Sequence, residues 1–109
     1  MIGAIIGDIV GSRFEFGPAP LKSFELFTPD CSYTDDTICT IAIADAVLNE
    51  RDYKDSLLDW CRRYPDPMGG YGKRFYQWIN ADNPQPTDSF GNGSAMRVSP
   101  IGWLFDEWE

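Results

Sequence analysis

The eight prolines and most of the ten glycines fall between apolar stretches whose spacing is that of helices, and no stretch alternates apolar and polar residues over a strand's length. Proline lacks an amide donor and biases the preceding residue away from the helical region. Residues 16–33, with Pro18, Pro20 and Pro29, therefore cannot form one regular element and must be a long loop. Pro65, Pro84, Pro86 and Pro100 interrupt the chain again further on. The expected fold class is all-α, with helices joined by long loops, the kind of segment that commonly carries function. At 109 residues the chain suffices for one domain and is too short for two.

Three helices are predicted. Residues 35–49 are rich in Ile, Ala, Val and Leu, and Ser32, Thr34 or Asp35 can cap them. Residues 52–64 place Tyr53, Leu57, Cys61 and Tyr64 on one face, with Asp52 as cap and Pro65 as stop. Residues 72–79 follow a Gly-rich turn, with Tyr71, Phe75, Trp78 and Ile79 at helical spacing. Ile38, Ile41, Ala42, Leu57, Cys61, Phe75 and Trp78 are the expected buried residues. Helix can resume near Asn92 before Pro100 resets it. In the apolar stretch 2–15, Gly3, Gly7 and Gly11 recur every four residues and form one helical stripe. That stripe fits close helix packing or a ligand-facing surface, and spacing alone leaves both open.

Apolar residues make up 43% of the chain and aromatic residues 15%, enough to drive a packed core. The net charge of −8 disfavours binding to a phosphate backbone, which depends on Lys and Arg. A small phosphorylated ligand is still admissible, because exposed backbone amides and a bound cation also receive phosphate. Cys31, Cys39 and Cys61 form no C-x-x-C pair, which points to a reducing interior. The apolar start carries Asp8, lacks a basic lead and is too short to span a membrane, so the expectation is a cytoplasmic protein without membrane or nucleic-acid partners.

Chemistry concentrates in a few places. Tyr33-Thr34-Asp35-Asp36-Thr37 sets two adjacent carboxylates among hydroxyls at a helix start. Such hard oxygen donors suit Mg²⁺, Mn²⁺ or Ca²⁺ better than zinc, and the chain has no histidine. Simple helix capping explains the same residues. Ser89-Phe90-Gly91-Asn92-Gly93 and Gly69-Gly70-Tyr71-Gly72 leave backbone amides accessible before helices, and each is equally readable as a plain turn.

Taken in order, Gly7-Asp8, Gly11-Ser12-Arg13-Phe14-Glu15, Tyr33-Thr34-Asp35-Asp36-Thr37, Gly70-Tyr71-Gly72 and Ser89-Phe90-Gly91-Asn92-Gly93-Ser94-Ala95-Met96-Arg97 resemble the ADP-ribosylglycohydrolase family over essentially the whole chain. The resemblance implies an orthogonal helical bundle of that type. It implies hydrolysis of an ADP-ribosyl glycosidic bond in a modified protein or small molecule, with a dinuclear Mg²⁺ or Mn²⁺ site. Thr34, Asp35 and Asp36 match the early metal segment. Gly70, Gly72, Ser89, Phe90, Gly91, Asn92 and Gly93 fall where the family surrounds ADP-ribose. Glu15 matches a glutamate near the scissile bond, and Asp8 is a candidate to support the metal ligands from behind.

The family's second metal segment, Asp-x-Asp followed by a hydroxyl residue, has no counterpart after Arg97. The expectation is a truncated domain with a half-built dinuclear site, turnover below the family's, and apolar surface exposed for association at Trp103, Leu104 and Phe105. Binding of ADP-ribose or a nucleotide without hydrolysis, or a structural remnant, are the alternatives. Arg97 is expected to form a structural ion pair.

Overall fold

The computed structural model describes residues 1–89 and 91–104. Within them the chain forms six α-helices: α1 (Ile2–Gly11), α2 (Asp35–Leu48), α3 (Tyr53–Arg63), α4 (Lys73–Ile79), α5 (Gly93–Met96) and α6 (Ser99–Leu104). A 3-10 turn, Ser12–Phe14, continues α1. Among the described residues there is no strand, only one isolated parallel bridge between Thr34 and Met68, so the chain is all-α. No helix among them is long and apolar enough to cross a membrane. The three predicted helices stand within one residue of their expected ends.

The capping chemistry sets those ends. Thr34 is extended and its hydroxyl accepts from the Asp36 amide at 3.2 Å, which starts α2. Asp52 does the same for α3, accepting from the Asp55 amide at 3.1 Å. Pro100 sits in the first turn of α6, where its missing amide costs nothing.

The core lies where α2, α3 and α4 meet. Ile38 and Cys39 from α2, Cys61 from α3 and Ile79 from α4 form its buried cluster. Ser56, fully buried, donates to the Ala42 carbonyl at 2.6 Å and leaves no polar group unpaired between α2 and α3. Four residues expected inside are instead half-buried: Ile41, Leu57, Phe75 and Trp78. Leu57, Phe75 and Trp78 pack around the cluster as its rim, with Phe75 and Trp78 stacked on each other at 5.6 Å. Ile41 faces a shallow apolar groove beside Met1, Ile5 and Leu48. All three cysteines are free thiols.

Helix α1 buries no side chain fully, and a Cβ built on Gly3, Gly7 or Gly11 would meet nothing within 4 Å. The glycine stripe is therefore not a tight helix contact. Trp103 and Leu104 are exposed, and Phe105 lies outside the described residues.

Asp45, on the outer side of α2, ties the α2–α3 corner. It accepts from Trp60 Nε1 at 2.8 Å and Asn49 Nδ2 at 2.6 Å and pairs with Arg51, which follows Glu50 in a left-handed turn. The Trp60 indole, then Asn49 and Arg51, hold the Asp45 carboxyl below its ordinary range. A depressed folded-state value gives stability that is present above the unfolded value, about 3.9, and lost as pH falls through the folded one. Asp45→Asn should therefore unfold at lower temperature than the wild type at pH 7, with the gap closing below about pH 4. Thermal melts at several pH values check this, and a gap that does not change with pH would contradict it.

Candidate active site

The candidate site is built around the start of α2. The Thr34 amide donates to Asp8 Oδ2 at 2.8 Å and the Thr34 hydroxyl to Asp8 Oδ1 at 2.5 Å. One turn on, the Thr37 hydroxyl donates to Asp8 Oδ2 at 2.6 Å. Asp8 thus holds the first turn of α2 from α1, and Thr34 is almost fully buried as a result. Thr40 donates to the Asp36 carbonyl at 2.7 Å and lies 3.3 Å from the Met96 carbonyl, which draws α5 against the same turn.

Asp35 and Asp36 open into a cleft of about 430 Å³ that Gly7, Asp8, Gly11, Glu15, Thr34, Thr40 and Asn92 also line. The stripe of small residues on α1 leaves this side open. Desolvation pushes the carboxyls of Asp35, Asp36 and Glu15 above their ordinary values. Repulsion adds to it: Glu15 acts on Asp35, Asp35 on Asp36, and Asp36 on Glu15, with Asp8 contributing to all three. Arg97 opposes the rise at Asp36.

A second cavity, about 400 Å³, adjoins the first through Asp35, Asn92 and Met96. Gly72, Ser89, Gly91 and Gly93 line it together with Lys73, Arg74, Phe75 and Arg97. Its charge is opposite in sign to that of the first. The Arg74 guanidinium is held by the Asp88 carbonyl at 2.8 Å, and Arg97 lies over the Phe75 ring at 4.8 Å while bonding to the Gly93 carbonyl. The expected ion pair of Arg97 is absent among the described residues, because backbone and ring take its place. Arg97 lies close over Gly93, where a Cβ would stand 3.0 Å from Nη2 and push the guanidinium aside by a few tenths of an ångström.

The family model described as ADP-ribosylglycohydrolase matches residues 1–109. The chain belongs to the ADP-ribosylglycohydrolase family. No solved structure matches it. ADP-ribosylglycohydrolases are hydrolases that act on ADP-ribosylated substrates, and they are generally metal-dependent. In this family chain the carboxylates and hydroxyls that line the acidic cleft are hard oxygen donors, the chemistry a hard divalent cation takes. Among the described residues, however, no three Asp, Glu, Cys or His groups stand close enough to hold an ion by themselves. Two adjacent carboxylates and one hydroxyl fit a cation that keeps most of its water.

Of the residues singled out in the sequence, Glu15, Thr34, Asp35, Asp36 and Asn92 share the acidic cleft, and Gly72, Ser89, Gly91, Asn92 and Gly93 share the second cavity. Gly70 lines neither, and Phe90 lies outside the described residues. Lys73 and Arg74 were not foreseen. Their signal was a basic pair directly after Gly72, in a chain with few basic residues.

Gly69 has φ +79°, and a Cβ there would stand 3.1 Å from Glu15 Oε2 and from a Phe16 ring carbon. Its turn therefore both needs glycine and seats the Glu15 side chain. Gly69→Ala should cost about 1–2 kcal/mol from the left-handed backbone alone. Urea unfolding at neutral pH measures the loss, and a variant as stable as the wild type would contradict this placement.

Proposed function

We propose that the two adjoining cavities bind ADP-ribose attached to a protein or small-molecule acceptor, and that the acidic one promotes hydrolysis of the glycosidic bond with a divalent cation, Mg²⁺ or Mn²⁺. The observation that carries this reading is the change of charge across one residue. Asp35 borders both the carboxylate cleft and the cavity that holds Lys73, Arg74 and Arg97. A diphosphate joined to a ribose presents the matching sequence of groups, with anionic oxygens at one end and sugar hydroxyls at the other.

Each group has a task that follows from its position. Arg74 and Arg97 keep guanidinium donors beyond those used by the backbone, and such donors bind phosphate oxygens. Gly93, at the start of α5, borders the same cavity, while the Gly91 amide already donates to Ser89 Oγ at 3.1 Å. Phe75, under Arg97, offers a flat apolar wall. Thr34, Asp35 and Asp36 would hold the cation, which when bound lowers the pKa of a water and polarises oxygen. Glu15 stands at the edge of the cleft with its carboxyl pushed up by desolvation, then by Asp36 and Asp8, the direction that favours a group which takes and returns a proton. Such proton transfer contributes about 10²–10⁴-fold.

A second reading has an observation in its favour. Because no three metal-binding groups converge among the described residues, the chain can hold ADP-ribose and a hydrated cation without turnover. Calorimetric titration with ADP-ribose, in the presence and absence of millimolar Mn²⁺, separates the possibilities when run beside an assay for ADP-ribose release. Binding that weakens at least about tenfold without the cation, and again in Asp35→Asn, is expected. Release that stops in Glu15→Gln while binding persists would mark the hydrolase. Binding without release would leave the non-catalytic module, and no binding under either condition would overturn both.

A further inference from the structure

Asp8 spends its whole carboxylate on the first turn of α2. Three donors from that turn reach its two oxygens, at 2.8, 2.5 and 2.6 Å, and no cation pairs with it among the described residues. Helix capping does not account for these bonds, since Thr34 already caps α2 through its own hydroxyl and the one amide that Asp8 accepts belongs to Thr34 itself, ahead of the helix. Two of the three donors on Asp8 are side-chain hydroxyls. A hydroxyl has one proton and two lone pairs. The Thr34 hydroxyl gives its proton to Asp8 and one lone pair to the Asp36 amide, so its remaining lone pair has a fixed direction.

We propose that Asp8 is a positioning residue for the divalent-cation site, which it serves by orienting the Thr34 hydroxyl and the first turn of α2 through three hydrogen bonds from the neighbouring helix. The inference rests on the cation-binding reading of Thr34, Asp35 and Asp36. Asp8 touches neither cation nor substrate. It acts through Thr34, as residues behind metal ligands commonly do by fixing ligand orientation. Thr37 belongs to the same device, because its bond to Asp8 Oδ2 anchors the carboxylate that aims Thr34.

The test is Mn²⁺ affinity of the full 109-residue chain, read by electron paramagnetic resonance of free Mn²⁺, beside the unfolding temperature without metal. Asp8→Asn keeps the shape but turns one acceptor oxygen into a donor amide, and should weaken Mn²⁺ binding by about 10–100-fold. Thr37→Val should weaken it in the same direction by a smaller factor, whereas Thr37→Ser, which keeps the hydroxyl, should restore wild-type affinity. A purely structural role would lower the unfolding temperature of Asp8→Asn and Thr37→Val and leave Mn²⁺ affinity unchanged, and that result would overturn the proposal. If Asp8→Asn does not fold, the Thr37→Val and Thr37→Ser pair decides by the same comparison. A wild-type chain that binds no Mn²⁺ would overturn the cation site and this inference together, whereas wild-type binding with no loss in the variants would overturn the inference alone.

Discussion

The joint between α1 and α2 is a carboxylate, and the site depends on it. Asp8 accepts from the Thr34 amide, the Thr34 hydroxyl and the Thr37 hydroxyl, so an exposed glycine-bearing helix is held against the one turn that carries Asp35 and Asp36. Hydrophobic burial does not do this, since α1 contributes no fully buried side chain. Because α1 is joined to the first turn of α2 through Asp8, with Gly7 and Gly11 lining the space beside that joint, a cleft remains between them. A tighter apolar contact along the same helices would have closed it.

The electrostatics of that cleft follow from what lines it. Desolvation, and then repulsion among Glu15, Asp35, Asp36 and Asp8, raises three carboxyls in the cleft, an arrangement that a cation bound as proposed would relieve. Arg97 gives only partial relief at Asp36, as its guanidinium is committed to the Gly93 carbonyl and the Phe75 ring. Like charges on the α1–α2 side and the positive lining beside α4 and α5 meet at Asp35, and in the proposed function they form the two halves of one ligand site. The rigid base beneath both is the α2–α3–α4 core, with Cys39 and Cys61 packed at its centre.

Much of this was legible in the sequence because it rests on local rules. Pro65 marked the end of α3, Asp52 announced its cap, Thr34 was among three cap candidates for α2, and the helical class followed from periodicity. The order of motifs carried the family. What could not be read were relations between elements distant in sequence. That Asp8 receives three bonds from residues 34 and 37, or that Arg97 rests on Phe75 instead of an acid, depends on helix packing that no local pattern encodes. Burial of Ile41, Leu57, Phe75 and Trp78 was overestimated for the same reason: helical spacing identifies a face but not how much of it a neighbour covers. The glycines of α1 show the limit most clearly, since one spacing served close packing and an open cleft alike.

The central claim is that one divalent cation binds where α1 meets the start of α2, next to the cavity suited to phosphate. Paramagnetic broadening by substoichiometric Mn²⁺ in an amide-resolved NMR spectrum of the chain tests it directly, because broadening falls steeply with distance from the bound ion. The account predicts that amides at residues 34–36, then Gly7, Asp8, Gly11, Glu15 and Asn92, lose intensity first, while those of α3 near Asp52 and Asp55 are spared. Broadening spread evenly over acidic surface residues, or centred on Asp52, Asp55 or Asp82, would contradict it.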